Sequence, residues 1–418
     1  MRIGKLVFDE KQRAKTNSLI LGTIGYGKSR FLEFEQRQNI QKQIPFCSID
    51  YHGAMYRNLI SWFAANGYYR NINLLDLSQG SFVTGVDFFR RIEGVDTGVQ
   101  VSGMVDAVMS AWGDKNSNTY PVIFRILTIL FTVMIERGIP LPDTLSLLTN
   151  RNALTAQVNQ LSNSLIRTVW TDLEKLPPSE WGRYVAPTVN RLFRLVQSKS
   201  IQRFMSLGKA EGTREFEGHT FVNLASSDQL DADAARTFGA LYLNHLYMSS
   251  KRRRGKFGND PSPYYCYVDE WWLVASPDYG RILAECRKFG LLLTLANQDL
   301  SQIKDTFGDS FKESILTLCQ RQVCFGGLND NDAGRLAREW GIQPQVIKNL
   351  QDRECLIKLP RQPVALIQVP QVDEPYLLDE KIKRYEQKIA ERTGALPVAE
   401  VDRLLNRPQN EEDLDPNE

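Results

Sequence analysis

The stretch that most constrains this chain is Gly22-Thr23-Ile24-Gly25-Tyr26-Gly27-Lys28-Ser29, set directly after the apolar run Ser18-Leu19-Ile20-Leu21. It fits G-x-x-x-x-G-K-[ST], a phosphate-binding loop, in the strand-then-loop context the motif requires. The glycines let the backbone curl so that successive amides point inward at a β-phosphate. Lys28 then adds a point charge to the β- and γ-phosphates, and the Ser29 hydroxyl stands ready to ligate Mg²⁺. A helix beginning near Ser29 aims its positive end at the same phosphates, with Arg30 in reach of them. The expected cofactors are ATP and Mg²⁺. A GTP switch is disfavoured, because no base-reading Asn-Lys-x-Asp stretch is present.

The rest of the chain follows from that loop. A second apolar run, Ile44-Pro45-Phe46-Cys47-Ser48-Ile49, ends in Asp50-Tyr51-His52-Gly53, and a third spans residues 72–75 with a helical pattern between. Strand, helix, strand, helix, strand is the rhythm of a parallel sheet covered on both faces. From about residue 95 to residue 210 the period turns helical, punctuated by Gly138, Pro140, Pro142 and Pro177-Pro178. Helices are expected over 99–112, 120–137, 161–176 and 187–197. The α/β rhythm resumes at Thr220-Phe221-Val222-Asn223-Leu224. The fold class expected is α/β, a RecA-like P-loop core with a mainly parallel sheet and an inserted all-α domain. The expected boundaries are 1–94 and 213–372 for the two parts of the core, 95–212 for the insert, and 373–418 for a charged helix with an acidic tail.

Tyr264-Tyr265-Cys266-Tyr267-Val268-Asp269-Glu270 is an apolar strand ending in two carboxylates, the Walker B partner of the loop. Asp269 is expected to hold Mg²⁺ through its water shell, and Glu270 to polarise the attacking water. Trp271 and Trp272 follow, read as packing residues or as surfaces for stacking bases. A later strand runs into Ala296-Asn297-Gln298, where Gln298 suits a sensor of the γ-phosphate. Arg287 sits at a helix end. It is either an arginine finger reaching a neighbour's γ-phosphate or a surface arginine.

Charge is the weaker signal. The net charge is +2, but residues 373–418 carry 13 acidic and 7 basic side chains, leaving the body at +8. Within residues 181–210 lie Arg183, Arg191, Arg194, Lys199, Arg203 and Lys209 without one acidic residue. This is either a surface that tracks a phosphate backbone or a solvated face of uneven charge. Six cysteines with no C-x-x-C pair read as reduced thiols, and three histidines make a zinc site or a histidine triad improbable. The apolar run at 122–135 contains Arg125 and falls short of the ~20 residues of a spanning helix, so no membrane anchor is expected and the localisation expected is cytoplasmic.

The ordered series of Gly22 to Ser29, Asp50-x-His52-Gly53, a helical insert, Phe221-Val222-Asn223-Leu224, Tyr267-Val268-Asp269-Glu270, Arg287-Lys288-Phe289-Gly290 and Ala296-Asn297-Gln298 resembles the HerA–FtsK superfamily of DNA-pumping ATPases. Within it, the series resembles the type IV coupling proteins of conjugation, the TraG/TraD group, over residues 15–370. The resemblance implies a hexameric ring that drives DNA through a channel, with Arg287 acting in trans. It also implies a relaxase or secretion-channel ATPases as partners, and docking at the helical domain. The same superfamily includes genome-packaging and DNA-processing motors. A different class of reading is an assembly platform that ATP closes and hydrolysis resets. Three departures stand out. The transmembrane helices with which coupling proteins usually begin are not expected from this sequence, so any recruitment to the inner membrane is expected to be peripheral, through partners. Tyr51 replaces a common proline, and Gly326 follows Phe325 where an arginine is common.

Overall fold

The computed structural model describes residues 13, 15–113, 121–207, 215–253, 261–275, 279–375 and 377–406. Eleven strands are found among them: β1 (Ser18–Leu21), β2 (Phe46–Asp50), β3 (Ile72–Asp76), β4 (Phe82–Val83), β5 (His219–Asn223), β6 (Tyr264–Val268), β7 (Leu291–Asn297), β8 (Arg321–Phe325), β9 (Glu354–Lys358), β10 (Ala365–Gln368) and β11 (Leu396–Pro397). Nine form one sheet in the order β10-β9-β8-β1-β7-β6-β2-β5-β3. All neighbours from β8 to β3 run parallel, and β9 and β10 close one side antiparallel. Every residue of β1, β2, β5, β6, β7 and β8 is buried, as expected of parallel strands covered on both faces.

Side-chain alternation divides the interior in two. Ile20, Phe46, Phe221, Tyr265 and Tyr267 point to one face and pack with helices Lys28–Gln41 and Ala54–Asn66. Leu19, Leu21, Ile49, Val222, Cys266 and Val268 point to the other. There the core is continuous with the helices between β4 and β5, including Thr97–Ala111, Pro121–Arg137 and Pro178–Val196. The inserted segment is thus packed onto the sheet rather than held apart from it. Its sixth helix begins earlier than the sequence suggests. Pro178 takes the first helical position, where a missing N–H costs nothing, and Pro187 lies exposed within the same helix. Two short helices, Thr144–Thr149 and Arg151–Asn159, lie between those expected over 120–137 and 161–176.

The C-terminal residues are also more tightly held than their charge implies. Helix Asp379–Thr393 packs on Ala54–Asn66 and β3, with Tyr385 Oη donating to Tyr68 O at 2.5 Å. β11 pairs with β4, and helix Val398–Leu405 reaches helix Lys199–Ser206. Lys209 and the acidic end after residue 406 lie outside the described residues. Among the described residues, no helix is long and apolar enough to cross a membrane. All six cysteines are buried and unpaired.

Candidate nucleotide site

The register of the sheet builds the site. Leu21 at the end of β1 lies opposite Asn297 at the end of β7, and Val268 at the end of β6 lies opposite Leu295. Three parallel strands in a row therefore release Gly22, Gln298 and Asp269 at one edge, where ligands of open α/β sheets bind. The loop is stitched to both neighbours of β1. Gly22 N donates to Gln298 O at 3.2 Å, and Thr23 N donates to Gly326 O at 3.2 Å. Thr23 Oγ1 also donates to Gly327 O at 2.6 Å.

Gly27 has φ 106°, a conformation that side chains resist, and it turns the chain into the helix that starts at Lys28. Lys28 is buried, and its Nζ donates to Gly22 O at 2.6 Å across the loop. Burial lowers its pKa, while the carboxylates of Asp269, Glu270 and Asp299 pull it back up. The departure at Gly326 has a steric cause here. A Cβ at that position would lie 2.6 Å from the Tyr26 ring, so the loop's own aromatic occupies the space an arginine needs.

The acid pair is held with unusual care. Glu270 is in the left-handed region at φ 48°, a strained conformation for a side-chain-bearing residue. Its two carboxylate oxygens are both engaged: Trp272 Nε1 donates to Oε2 at 2.9 Å, and Gln298 Nε2 donates to Oε1 at 3.2 Å. Trp272 N in turn lies 3.4 Å from Asn297 Oδ1, with the amide donating. Asp269 is buried, and burial together with Asp50 and Glu270 pushes its pKa up to about 7, against Lys28 and His52. Asp50 spends its own oxygens on the backbone, accepting from His52 N at 2.9 Å and Tyr56 N at 2.8 Å. A divalent cation fits this spot chemically. The buried Asp269 carboxyl, crowded by Asp50 and Glu270, and the exposed hydroxyl of Ser29, next in the chain to Lys28, are hard oxygens of the kind Mg²⁺ prefers.

The structure thus gathers Lys28, Asp269, Glu270 and Gln298 at one edge and adds Trp272 and Asn297, which sequence reasoning did not place there. Trp272 carried a signal, an indole two residues after the acid pair, but only the tertiary fold shows which way its N–H points. The turn after Gln298 is anchored as well. Leu300 N donates to Asp332 Oδ2 at 2.9 Å, in the first turn of helix Asp330–Trp340.

Other expected residues lie elsewhere. Arg287 precedes β7, at the opposite end of that strand from Asn297 and roughly 20 Å away along seven residues of strand. It is exposed and donates to Lys15 O at 3.1 Å, so it serves no phosphate in its own subunit. Arg183, Arg194 and Lys199 are exposed, and Arg191 is half-buried beside Trp112. Arg191, Arg194 and Arg236 line one cavity between helices Pro178–Val196 and Ala232–Ser250. Arg203 departs from the expected basic surface. It is buried, and its Nε and Nη2 donate to the two oxygens of Asp402 at 2.7 Å each, so its charge is committed to docking the C-terminal helix.

A glycine-rich loop after β1, an acid pair after β6 and a glutamine at the end of the strand between them belong to a RecA-like P-loop fold with a helical insertion. A family model described as the TraM recognition site of TraD and TraG matches residues 263–347. Among solved structures, the chain is similar to the plasmid coupling protein TrwB in complex with ADP and Mg²⁺, at 13% identity, TM-score 0.63, covering 90% of this chain and 91% of that one. It is similar to the bacterial conjugative coupling protein TrwB in a sulphate-bound form, at 13% identity and TM-score 0.65 over 90% and 91%. It is also similar to VirB4 of Thermoanaerobacter pseudethanolicus, at 13% identity and TM-score 0.58 over 85% and 89%. Curated protein sequences give no match. The resemblance to HerA–FtsK coupling ATPases drawn from the motifs is borne out, in fold by the solved structures and in sequence over residues 263–347.

Proposed function

We propose that this chain is an ATP-driven DNA translocase of the conjugative coupling type, working as a ring. The observation that carries the reading is the hydrogen-bonded set of Glu270, Gln298 and Trp272 at the strand edge that also holds Lys28. The similarity to TrwB, solved with ADP and Mg²⁺ and with ATP and GTP analogues, supports the same ligands here.

In this reading the loop amides of residues 22–29 bind the β-phosphate, and Lys28 swings from Gly22 O to the β- and γ-phosphates. Ser29 and Asp269 would hold Mg²⁺, whose charge would offset that developing on the phosphates. Glu270 orients the attacking water as a general base, and its strained backbone and two donors fix the carboxylate before substrate arrives. Gln298 reads whether the γ-phosphate is present and passes that state through Leu300 and Asp332 to helix Asp330–Trp340. Arg287, far from Lys28 in its own subunit and exposed, is available to a neighbour in a ring. Arg183, Arg191, Arg194 and Lys199 supply a basic surface for a phosphate backbone.

The test is ATP hydrolysis by the purified protein with and without single- and double-stranded DNA, beside Glu270→Gln. Turnover raised by DNA and lost in the variant, by about 10²–10³-fold, supports the motor. Assembled rings whose turnover ignores DNA at low salt would sink it in favour of a nucleotide-dependent assembly platform.

A further inference from the structure

The acid pair and Gln298 lie on one side of β1, on β6 and β7. A triphosphate with its γ-phosphate there must send its nucleoside across the loop to the other side, towards β8 and β9. An open cleft of about 690 Å³ waits at that end, lined by Arg30, Arg353, Pro370, Gln371, Val372 and Glu374 among others. Its size is in the range of small-ligand sites, about 300–1,000 Å³.

Three features show a built site. Arg353 stands immediately before β9 with φ 64°, a conformation that costs free energy in a residue bearing a side chain. Two backbone hydrogen bonds hold it there: its N donates to Tyr26 O in the loop at 3.1 Å, and its O accepts from Val369 N at 2.8 Å. The strain therefore fixes this arginine beside the end of the loop, where its backbone lies against Gly27. Its exposed guanidinium has no hydrogen bond or ion pair within the described residues. Across the cleft, the segment 370–375 is fastened by Arg37, whose Nη2 donates to Asp373 O at 2.7 Å. Finally, Arg30, one residue beyond Ser29, is bridged to Glu374 of that segment and to Glu33 of its own helix.

We propose that this cleft is the nucleoside subsite, that Arg353 stacks on the base, and that Glu374 is a latch which a nucleotide must displace to claim Arg30 for its α-phosphate. The guanidinium plane suits the face of any base, and Pro370 offers an apolar wall. With Glu374 in place, Arg30 faces two carboxylates and has little attraction left for an anion. The inference rests on the loop at Lys28 being the triphosphate site.

Binding of Mg-ATP and of Mg-tripolyphosphate, which has the charges without the nucleoside, separates the two claims. Arg353→Ala is expected to weaken ATP about tenfold while leaving tripolyphosphate within about twofold. Arg353→Lys, which keeps the charge and loses the plane, is expected to weaken ATP as well. Glu374→Ala is expected to tighten ATP roughly two- to five-fold, a gain that fades at high salt because the ion pair is half-exposed. If Arg353→Ala changes both ligands equally, or neither, the nucleoside subsite is overturned. A Glu374→Ala protein that binds ATP as the wild type does at low salt overturns the latch. If Lys28→Ala leaves both ligands bound, the loop reading itself fails and takes the subsite with it.

Discussion

Under the proposed function, the strand edge and the inserted helices have different tasks, met by different means. At the edge, each working side chain has a partner that sets its direction: Glu270 is gripped by Trp272 and Gln298, and Lys28 reaches back to Gly22 O. On helix Pro178–Val196 the arginines instead share a face, with Arg183 and Arg194 exposed. Water activation needs a carboxylate placed to a fraction of an ångström, because misplacement costs rate steeply. A phosphate backbone needs only charge density along a surface, and its attraction survives small changes in geometry. The contrast teaches where mutations should bite in kcat and where they should bite in salt dependence.

The largest effect that sharpens this contrast is at Gln298. Gln298→Ala is expected to lower kcat by about tenfold to a hundredfold with ATP affinity nearly kept, read from steady-state kinetics beside nucleotide titration. Trp272→Phe removes the indole N–H that holds Glu270 Oε2, together with part of the ring, so kcat should fall about tenfold with KM unchanged. A rise in KM at constant kcat would mean that Trp272 serves binding instead. For the helical region, Arg183→Ala with Arg194→Ala should leave DNA-free hydrolysis intact. DNA affinity should fall several-fold, with the salt slope reduced by about one per lost phosphate contact. DNA binding that ignores both changes at low salt would remove the helix from the DNA path.

Smaller effects test where the C-terminal segment belongs. Arg203→Ala should cost about 1 kcal/mol in stability, since Asp402 is partly exposed and solvent screens the pair. If DNA affinity falls as far as in the Arg183→Ala, Arg194→Ala variant while stability holds, Arg203 belongs to the basic surface after all. Glu386, on helix Asp379–Thr393, has its pKa pushed up to about 7 by burial and the nearby Asp76. The folded chain therefore keeps a proton that the unfolded chain releases near pH 4.5, and stability falls as pH rises from there to about 7. Glu386→Gln should match the wild type at pH 4 and exceed it by roughly 2–3 kcal/mol at pH 8 in denaturant unfolding.

Much of this was legible in the order of residues. The loop at 22–29 is a local motif whose backbone geometry follows from its glycines, and β1, β2, β6 and β7 are runs apolar enough to be read as buried strands. The pair Asp269-Glu270 and Gln298 could be expected to meet because parallel strands present their ends at one edge. The helical insertion showed itself by period. Prolines misled the reading of its later helices, since Pro178 starts a helix and Pro187 sits exposed within it.

What the sequence determined by itself, then, was local pattern and period: a glycine-rich loop after a strand, a strand ending in acids, a strand ending in Asn297-Gln298 and a basic helical stretch. Only the tertiary structure decided which groups of distant sequence share a contact. It drew Arg203 out of the basic stretch to Asp402, 199 residues away. It left Arg287 at the far end of β7 from the loop and brought Arg353 against Gly27. The physical reason is that period and motif act over a few residues of chain. The choice of partner for a charged side chain is made by sheet order and helix docking, which no short window of sequence contains.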